Sequence, residues 1–383
     1  MAIGHFMMAF EALFLFALLA LILGIGAFKP NISTQVGALY APGDRRRDRA
    51  YSIFYVGINI GAFAAPLVCG TLAVQYGFHY GFAAAGLGML VSLVIYLCGA
   101  RTLPADERPR AKAVVGEKRP LHAPERRAAL ASEASGQRGN FIVRAHSASE
   151  DARKRADDTR PEPGSSARAV LTLIGICALV TLFWAAYDQQ GNTIVLWAEN
   201  FTDRSIDLLI WQGKIPSPWF LALNPMMILL LTPFIVRLWA RQGQHGTEPA
   251  PVSKMAFGCL CVALANVVMA AAAWTNVGKA SPLWLVGYFV LATIGELYLA
   301  PVGLALISKM APTRMLSMMM GIWFATTLPA DILAGFLGGF WSRMAKPDFF
   351  LMIAVIPALA GAAMWAFQKL VVRNLSASRG PGA

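Results

Sequence analysis

The sequence predicts an all-α membrane protein with about nine transmembrane helices, and three observations carry that prediction. The 383 residues are 57% hydrophobic and only 14% charged, with a mean hydropathy of +0.54, far more apolar than soluble domains. Apolar segments of roughly 20 residues, the length that crosses a bilayer, follow one another with short polar joints. No alternating barrel pattern is visible, so each spanning segment must close its backbone hydrogen bonds internally as a helix.

The spans fall at about 12–28, 52–73, 79–99, 168–187, 217–237, 253–274, 283–307, 316–340 and 348–371. Ahead of the first, the stretch from Met1 to Glu11 has no basic leader and no small-residue cleavage site, which argues against a signal peptide. The half-span His5–Phe10, followed by Glu11, reads as a chain that starts inside an earlier helix. Arg45, Arg46, Arg47 and Arg49 separate the first two spans, and Arg237, Arg241, Lys254, Lys309, Arg314, Lys369 and Arg373 mark alternate later junctions. Positive charge is retained on the cytoplasmic side, so those junctions are expected to face the cytoplasm of an inner membrane.

After the third span the composition turns to Arg, Ala, Glu, Ser and Pro, which cannot bury enough apolar surface to offset the entropy of ordering. Residues 101–167 are therefore expected as a polar, disordered cytoplasmic linker between a three-helix group (1–100) and a six-helix group (168–373), with a short tail at 374–383. Such a linker is read as a passive tether, with contact to anionic lipid headgroups as its alternative.

The formal charge of +12 does not indicate nucleic acid, because Lys and Arg lie in the connecting segments and not on one face. Cys69, Cys98, Cys177, Cys259 and Cys261 all lie in apolar stretches, which excludes a disulfide framework and a zinc site. They read as small packing residues. No catalytic triad, metal cluster, phosphate loop or dinucleotide fingerprint in its proper context is present, so an enzyme is not expected.

Four segments carry more specific information. They are Gly26–Ser33 (GAFKPNIS), Tyr51–Phe63 (YSIFYVGINIGAF), Phe183–Gly191 (FWAAYDQQG) and Gly295–Gly303 (GELYLAPVG). The second resembles, position for position, the signature of the proton-dependent oligopeptide transporter family of the major facilitator superfamily, and the others agree with the family in order. The resemblance covers the chain apart from the linker and implies a major facilitator-type helical bundle whose spans match the family's helices four to twelve. It implies proton-coupled symport of di- and tripeptides, with protons as the coupling ion and no other cofactor.

Several residues stand out on physical grounds as well. Glu296 sits midway through an apolar span, where an ionisable group costs a few kcal/mol unless it faces a cavity or a partner. Lys29 lies near the inner end of its span, where snorkelling to headgroups is the simpler reading. The resemblance pairs Lys29 with Glu296 across the two halves as a gate, with the lysine also in proton coupling. It places Asn59, Asn224 and Trp323 at the peptide site. Asn59 has an interhelical hydrogen bond as its alternative, and Trp323 has a place in the core. Pro225, next to Asn224, is expected to kink the helix or free a carbonyl.

Asp188 stands where the family usually has glutamate, and is a proton-site candidate with an interfacial charge as the rival reading. Asp331 lies where asparagine is more usual and receives no role, with Pro329 expected to kink the chain beside it. Ala300 stands where serine is frequent. No Glu-x-x-Glu-Arg stretch, which the family supplies from its first helices, occurs in the sequence. Impaired transport, or a need for a complementing N-terminal segment, is therefore expected. A non-transporting remnant, or a carrier of another small solute such as nitrate, is the alternative.

Overall fold

A computed structural model describes residues 1–39, 46–100, 163–208, 211–276, 278–311 and 315–378. Among these, nine helical segments are long and apolar enough to cross a membrane, at Glu11–Phe28, Ile53–Tyr76, Phe78–Gly99, Ala169–Asn200, Ser217–Gln244, Pro251–Thr275, Leu283–Ile307, Met318–Gly338 and Lys346–Gln368. Each coincides with one of the expected spans. Residues 101–162, most of the expected linker, lie outside the described residues.

The N-terminal group begins with a short helix α1 (Ala2–Met7), separated by a turn and a 3-10 turn at Glu11–Leu13 from α2 (Phe14–Ala38). The residues expected to open inside an earlier span thus form a helix of their own, which packs on α2 and α4. Two long helices follow, α3 (Arg46–Tyr76) and α4 (Phe78–Gly99), joined through Gly77 at φ +108°. Only glycine takes that conformation at little cost.

The C-terminal group comprises α5 (Pro163–Tyr187), a 3-10 turn at Asp188–Gly191, α6 (Thr193–Asn200), a hairpin of β1 (Ser205–Leu208) with β2 (Trp211–Lys214), and a 3-10 turn at Ser217–Ala222. It continues with α7 (Leu223–Gln244), α8 (Pro251–Thr275), α9 (Leu283–Met310), α10 (Leu316–Ala325), α11 (Thr327–Gly338) and α12 (Lys346–Ser378). Ahead of the hairpin, Asp203 accepts hydrogen bonds from the backbone and hydroxyl of Ser205, which hold its carboxyl below the usual carboxylate range.

Three features depart from the expected spans. The eighth is two helices, α10 ending at Ala325 and α11 restarting at Thr327, with the Thr326 and Thr327 hydroxyls donating to the carbonyls of Trp323 and Phe324 (2.7 and 3.0 Å). Side-chain donors of this kind offer the chain an alternative to the helical ladder. Pro225 is the third residue of α7, where a backbone N–H would lack a partner in any case, whereas Pro329 has no N–H to give the carbonyl of Ala325, the last residue of α10, so the break falls where this proline is expected to disturb the helix. The last helix continues to Ser378, into the stretch expected as a tail.

Packing is concentrated in the C-terminal group. The buried apolar cluster runs from Leu173 to Met364, with Phe183, Tyr288, Phe289, Phe349 and Phe350 at its centre. Helix α8 is buried along 67% of its span, against 6% for α2. Its run of Ala, Gly and Cys lets α9 approach closely, as small residues do between membrane helices. The two groups meet where α3 ends and α7 begins: Trp219 Nε1 donates to Thr71 Oγ1 (2.8 Å), and Gly70 lies against the Pro218 ring.

Candidate functional site

Glu296 is the fourteenth residue of α9, which at 1.5 Å per residue places it about 20 Å into the helix, near its midpoint. The surrounding elements supply a set of hydrogen-bond donors. Tyr187, the last residue of α5, donates its phenolic O–H to Glu296 Oε2. Asn224, in the first turn of α7, donates from Nδ2 to the same Oε2 (3.0 Å), to the Tyr187 hydroxyl (2.8 Å) and to Thr293 Oγ1 (3.1 Å). Thr293 precedes Glu296 by three residues and so shares its face of α9.

The result is a closed polar ring in a wall of apolar helices. Tyr187 and Thr293 are buried, and Glu296 and Asn224 are half-buried. Both donors engage Oε2, and among the described residues Oε1 receives no hydrogen bond. One oxygen of the carboxylate is thus held by both donors. From the N-terminal group, Tyr55 on α3 comes within electrostatic range of Glu296.

The expected site residues distribute unevenly around this ring. Glu296 and Asn224 are in it. Lys29 lies in α2, but its side chain is outside the described residues, and so is the Lys29–Glu296 pair. Asn59 is buried and donates one of its two amide N–H groups to the Tyr55 carbonyl of its own helix (2.9 Å). Trp323 is 4% exposed, and the outer edge of its indole fills the space that a Cβ on Gly303 would take. Gly303 is seven residues, close to two turns, beyond Glu296 and on the same face.

Asp188 opens the 3-10 turn after α5, and its carboxyl is within hydrogen-bonding reach of Asp331 on α11. Sequence reasoning named Asp188 and passed over Tyr187, Thr293 and Tyr55. Tyr187 stands beside Asp188 in the same motif, and Thr293 is recoverable from the three-residue spacing to Glu296. Tyr55 lies in the Tyr51–Phe63 motif, one turn before Asn59, but its approach to Glu296 is a matter of tertiary packing.

The ring predicts a stability effect that needs no ligand. Asn224→Leu removes the donor that serves three acceptors and leaves buried polar atoms unpaired, at a cost of about 1–3 kcal/mol. Detergent denaturation of the purified protein is expected to show an earlier midpoint for Asn224→Leu and recovery in Asn224→Gln. Equal midpoints for Leu and wild type would show that the ring is not formed.

Comparison with known proteins gives a consistent result. The PTR2 model of the POT family matches residues 1–352. The peptide transporter YePEPT of Yersinia enterocolitica subsp. palearctica serotype O:3 (strain YE-P4) is 33% identical over 369 residues, covering 88% of this chain and 71% of that protein. A di-/tripeptide transporter of Lactococcus lactis subsp. cremoris is 28% identical over 382 residues, covering 93% of this chain and 75% of the relative. Among solved structures, a crystal structure of peptide transporter POT in complex with sulfate matches with a TM-score of 0.76 at 27% identity, covering 97% of this chain and 78% of that one. A mutant of a peptide transporter POT in complex with alafosfalin matches with a TM-score of 0.74 at 28% identity, with the same coverage.

Proposed function

The chain belongs to the POT family, and from that premise we propose that this multi-pass membrane protein carries di- and tripeptides across the cytoplasmic membrane in symport with protons. Its relatives are transporters, and on this reading the chain catalyses no chemical reaction and uses no cofactor beyond the coupling proton. The observation that carries the reading is the asymmetry of Glu296 among the described residues: Tyr187 and Asn224 fix Oε2, and none of them donates to Oε1. A fixed, half-buried carboxylate with its second oxygen outside those bonds suits the one group that every unblocked peptide shares, its terminal ammonium.

The remaining residues take roles around that anchor. Asn224 and Tyr187 hold the carboxylate in place, and Trp323 backs the same face of α9 two turns away. Lys29 and Asn59 serve the peptide's carboxylate end, with Lys29 closing on Glu296 when the peptide leaves. Glu296 and Asp188 are the proton carriers within the C-terminal group.

A proton crossing about 150 mV releases roughly 3.5 kcal/mol, enough for about a 300-fold gradient of a neutral co-substrate. The test is uptake of labelled dialanine by vesicles containing the purified chain, with and without an imposed proton gradient. Accumulation above equilibrium that collapses when the gradient is dissipated supports the reading and overturns the impairment expected from the missing Glu-x-x-Glu-Arg stretch. Accumulation of nitrate but not dialanine, or of neither, would overturn the reading. Thermal stabilisation of the detergent-solubilised chain by dialanine, and not by alanine, reads binding separately from coupling.

A further inference from the structure

The N-terminal and C-terminal groups are fastened to each other at the face opposite the arginine-bearing ends of α3 and α7. Thr71 lies 25 residues beyond Arg46, the first residue of α3, which is about 37 Å along the helix and more than the roughly 30 Å of a bilayer's hydrocarbon core. Trp219 lies 22 residues ahead of Arg241 in the last turn of α7, at least about 33 Å away. The bond from Trp219 to Thr71 therefore joins the groups at the far face.

The contact is specific on both sides. The Thr71 hydroxyl spends its one proton on the Leu67 carbonyl a turn back, so its oxygen presents only lone pairs to the indole, and the indole has only a donor to offer. Beside that bond, Gly70 is buried and a Cβ on it would lie 2.6 Å from Pro218 Cβ, so the proline ring is seated where only glycine leaves room. Each side also carries a point of weakness. Pro66 lies inside α3, four residues before Gly70, and deprives the helix of one ladder bond. The bond from Thr71 back to Leu67 is of the kind that bends helices. On the other side, Pro216 and Pro218 flank Ser217 where the 3-10 turn ahead of α7 begins.

We propose that Gly70, Thr71, Pro218 and Trp219 form a latch that holds the two groups together at this face and parts as residues 67–76 pivot at Pro66. A carrier whose groups rock about a fixed central site breaks its contacts at one face in each cycle, and one hydrogen bond with one ring on a glycine is a contact that parts and reforms without unpacking either group. Asn224 follows Trp219 by five residues, so the same segment that carries the latch leads into the Glu296 ring. The latch rests on the transport reading for the solute it admits, and not for its opening.

Two measurements on the full chain in lipid vesicles, with its five native cysteines replaced by alanine, test the latch. The first needs no transport: spin labels at Tyr76→Cys and Lys279→Cys, both exposed positions, report the separation of the groups by pulsed electron resonance. Gly70→Val puts a side chain where the Pro218 ring sits and is expected to add a longer-distance population. Gly61→Val, on the same helix with nothing within 4 Å of its Cβ position, should leave the distribution as it was. An unchanged distribution in Gly70→Val would overturn the latch. The second uses unlabelled Gly70→Cys with Pro218→Cys, whose Cβ positions need part by only about 1 Å to reach disulfide spacing. Oxidation is expected to join them and abolish dialanine uptake while dialanine still stabilises the protein thermally, and reduction to restore uptake. A pair that does not cross-link, or oxidised protein that takes up dialanine as fast as reduced protein, would also overturn it. This pair decides the matter if Gly70→Val fails to fold. A longer-distance population in Gly70→Val, in a chain that takes up no dialanine in any state, would uphold the latch and refute peptide transport.

Discussion

Glu296→Gln is expected to weaken dipeptide binding by at least about 30-fold while leaving the protein folded. The amide keeps a carbonyl oxygen where Oε2 stands, so Tyr187 and Asn224 retain an acceptor. What it loses is the negative charge. Truncating one partner of a buried, hydrogen-bonded charge pair costs about 2–5 kcal/mol, which is roughly 30-fold to several thousand-fold in affinity. Isothermal titration with dialanine reads that loss directly.

The attribution to the ammonium is checked with a second ligand. N-acetyl-dialanine has no terminal charge, so the wild type should bind it poorly and Glu296→Gln should bind it no worse than the wild type does. The coupling between the two changes isolates the pair from any general disturbance of the site. A variant that binds dialanine within threefold of the wild type would remove Glu296 from the ligand's ammonium end. Asp at this position, one methylene shorter, withdraws the carboxylate from Tyr187 and Asn224 and is expected to fall between Gln and wild type.

How far such residues were legible in the sequence depended on what each one needs. The nine spans were readable because bilayer thickness fixes their length and lipid forbids open backbone; each recurs in the structure. Glu296 was readable because an ionisable group at mid-span demands a reason. The hairpin at Ser205–Lys214 and the break at Thr326 were not. The first has no bilayer constraint on it, and of the second only a kink near Pro329 was readable, not the restart of the helix at Thr327. Pro225 was misread for a related reason: a proline kinks a helix or merely begins one according to where the first turn falls, and the preceding 3-10 turn decides that. Asp331 had no readable partner, because the register between the turn and α11 is set by the buried Gln189–Ala334 bond.

The closest backbone approach that bears on the site predicts the second large effect. Helices α8 and α9 cross at Gly258 and Gly295: a Cβ on Gly295 would lie 2.7 Å from the Gly258 carbonyl oxygen and 2.8 Å from Val262 Cγ2, and one on Gly258 would lie 2.6 Å from the Gly295 oxygen. Carbonyl oxygens of packed helices cannot rotate aside, so any side chain at either position drives the helices apart. Overpacking of this kind costs about 1–3 kcal/mol or more, set against a gain of about 1 kcal/mol for replacing a helical glycine by alanine. Gly295→Ala should therefore be mildly destabilising and Gly295→Val strongly so. Gly175 on α5, with nothing within 4 Å of its Cβ position, should gain stability as alanine. The effect at Gly295 reaches the site because Glu296 follows it directly: when α9 moves off α8, the 3.0 Å bond from Asn224 on α7 is stretched or lost. Gly295→Val is accordingly expected to lower the detergent-denaturation midpoint and, at temperatures where it stays folded, to weaken dialanine binding, whereas Gly175→Ala does neither. A Gly295→Val protein with wild-type midpoint and affinity would show that α8 and α9 do not meet there.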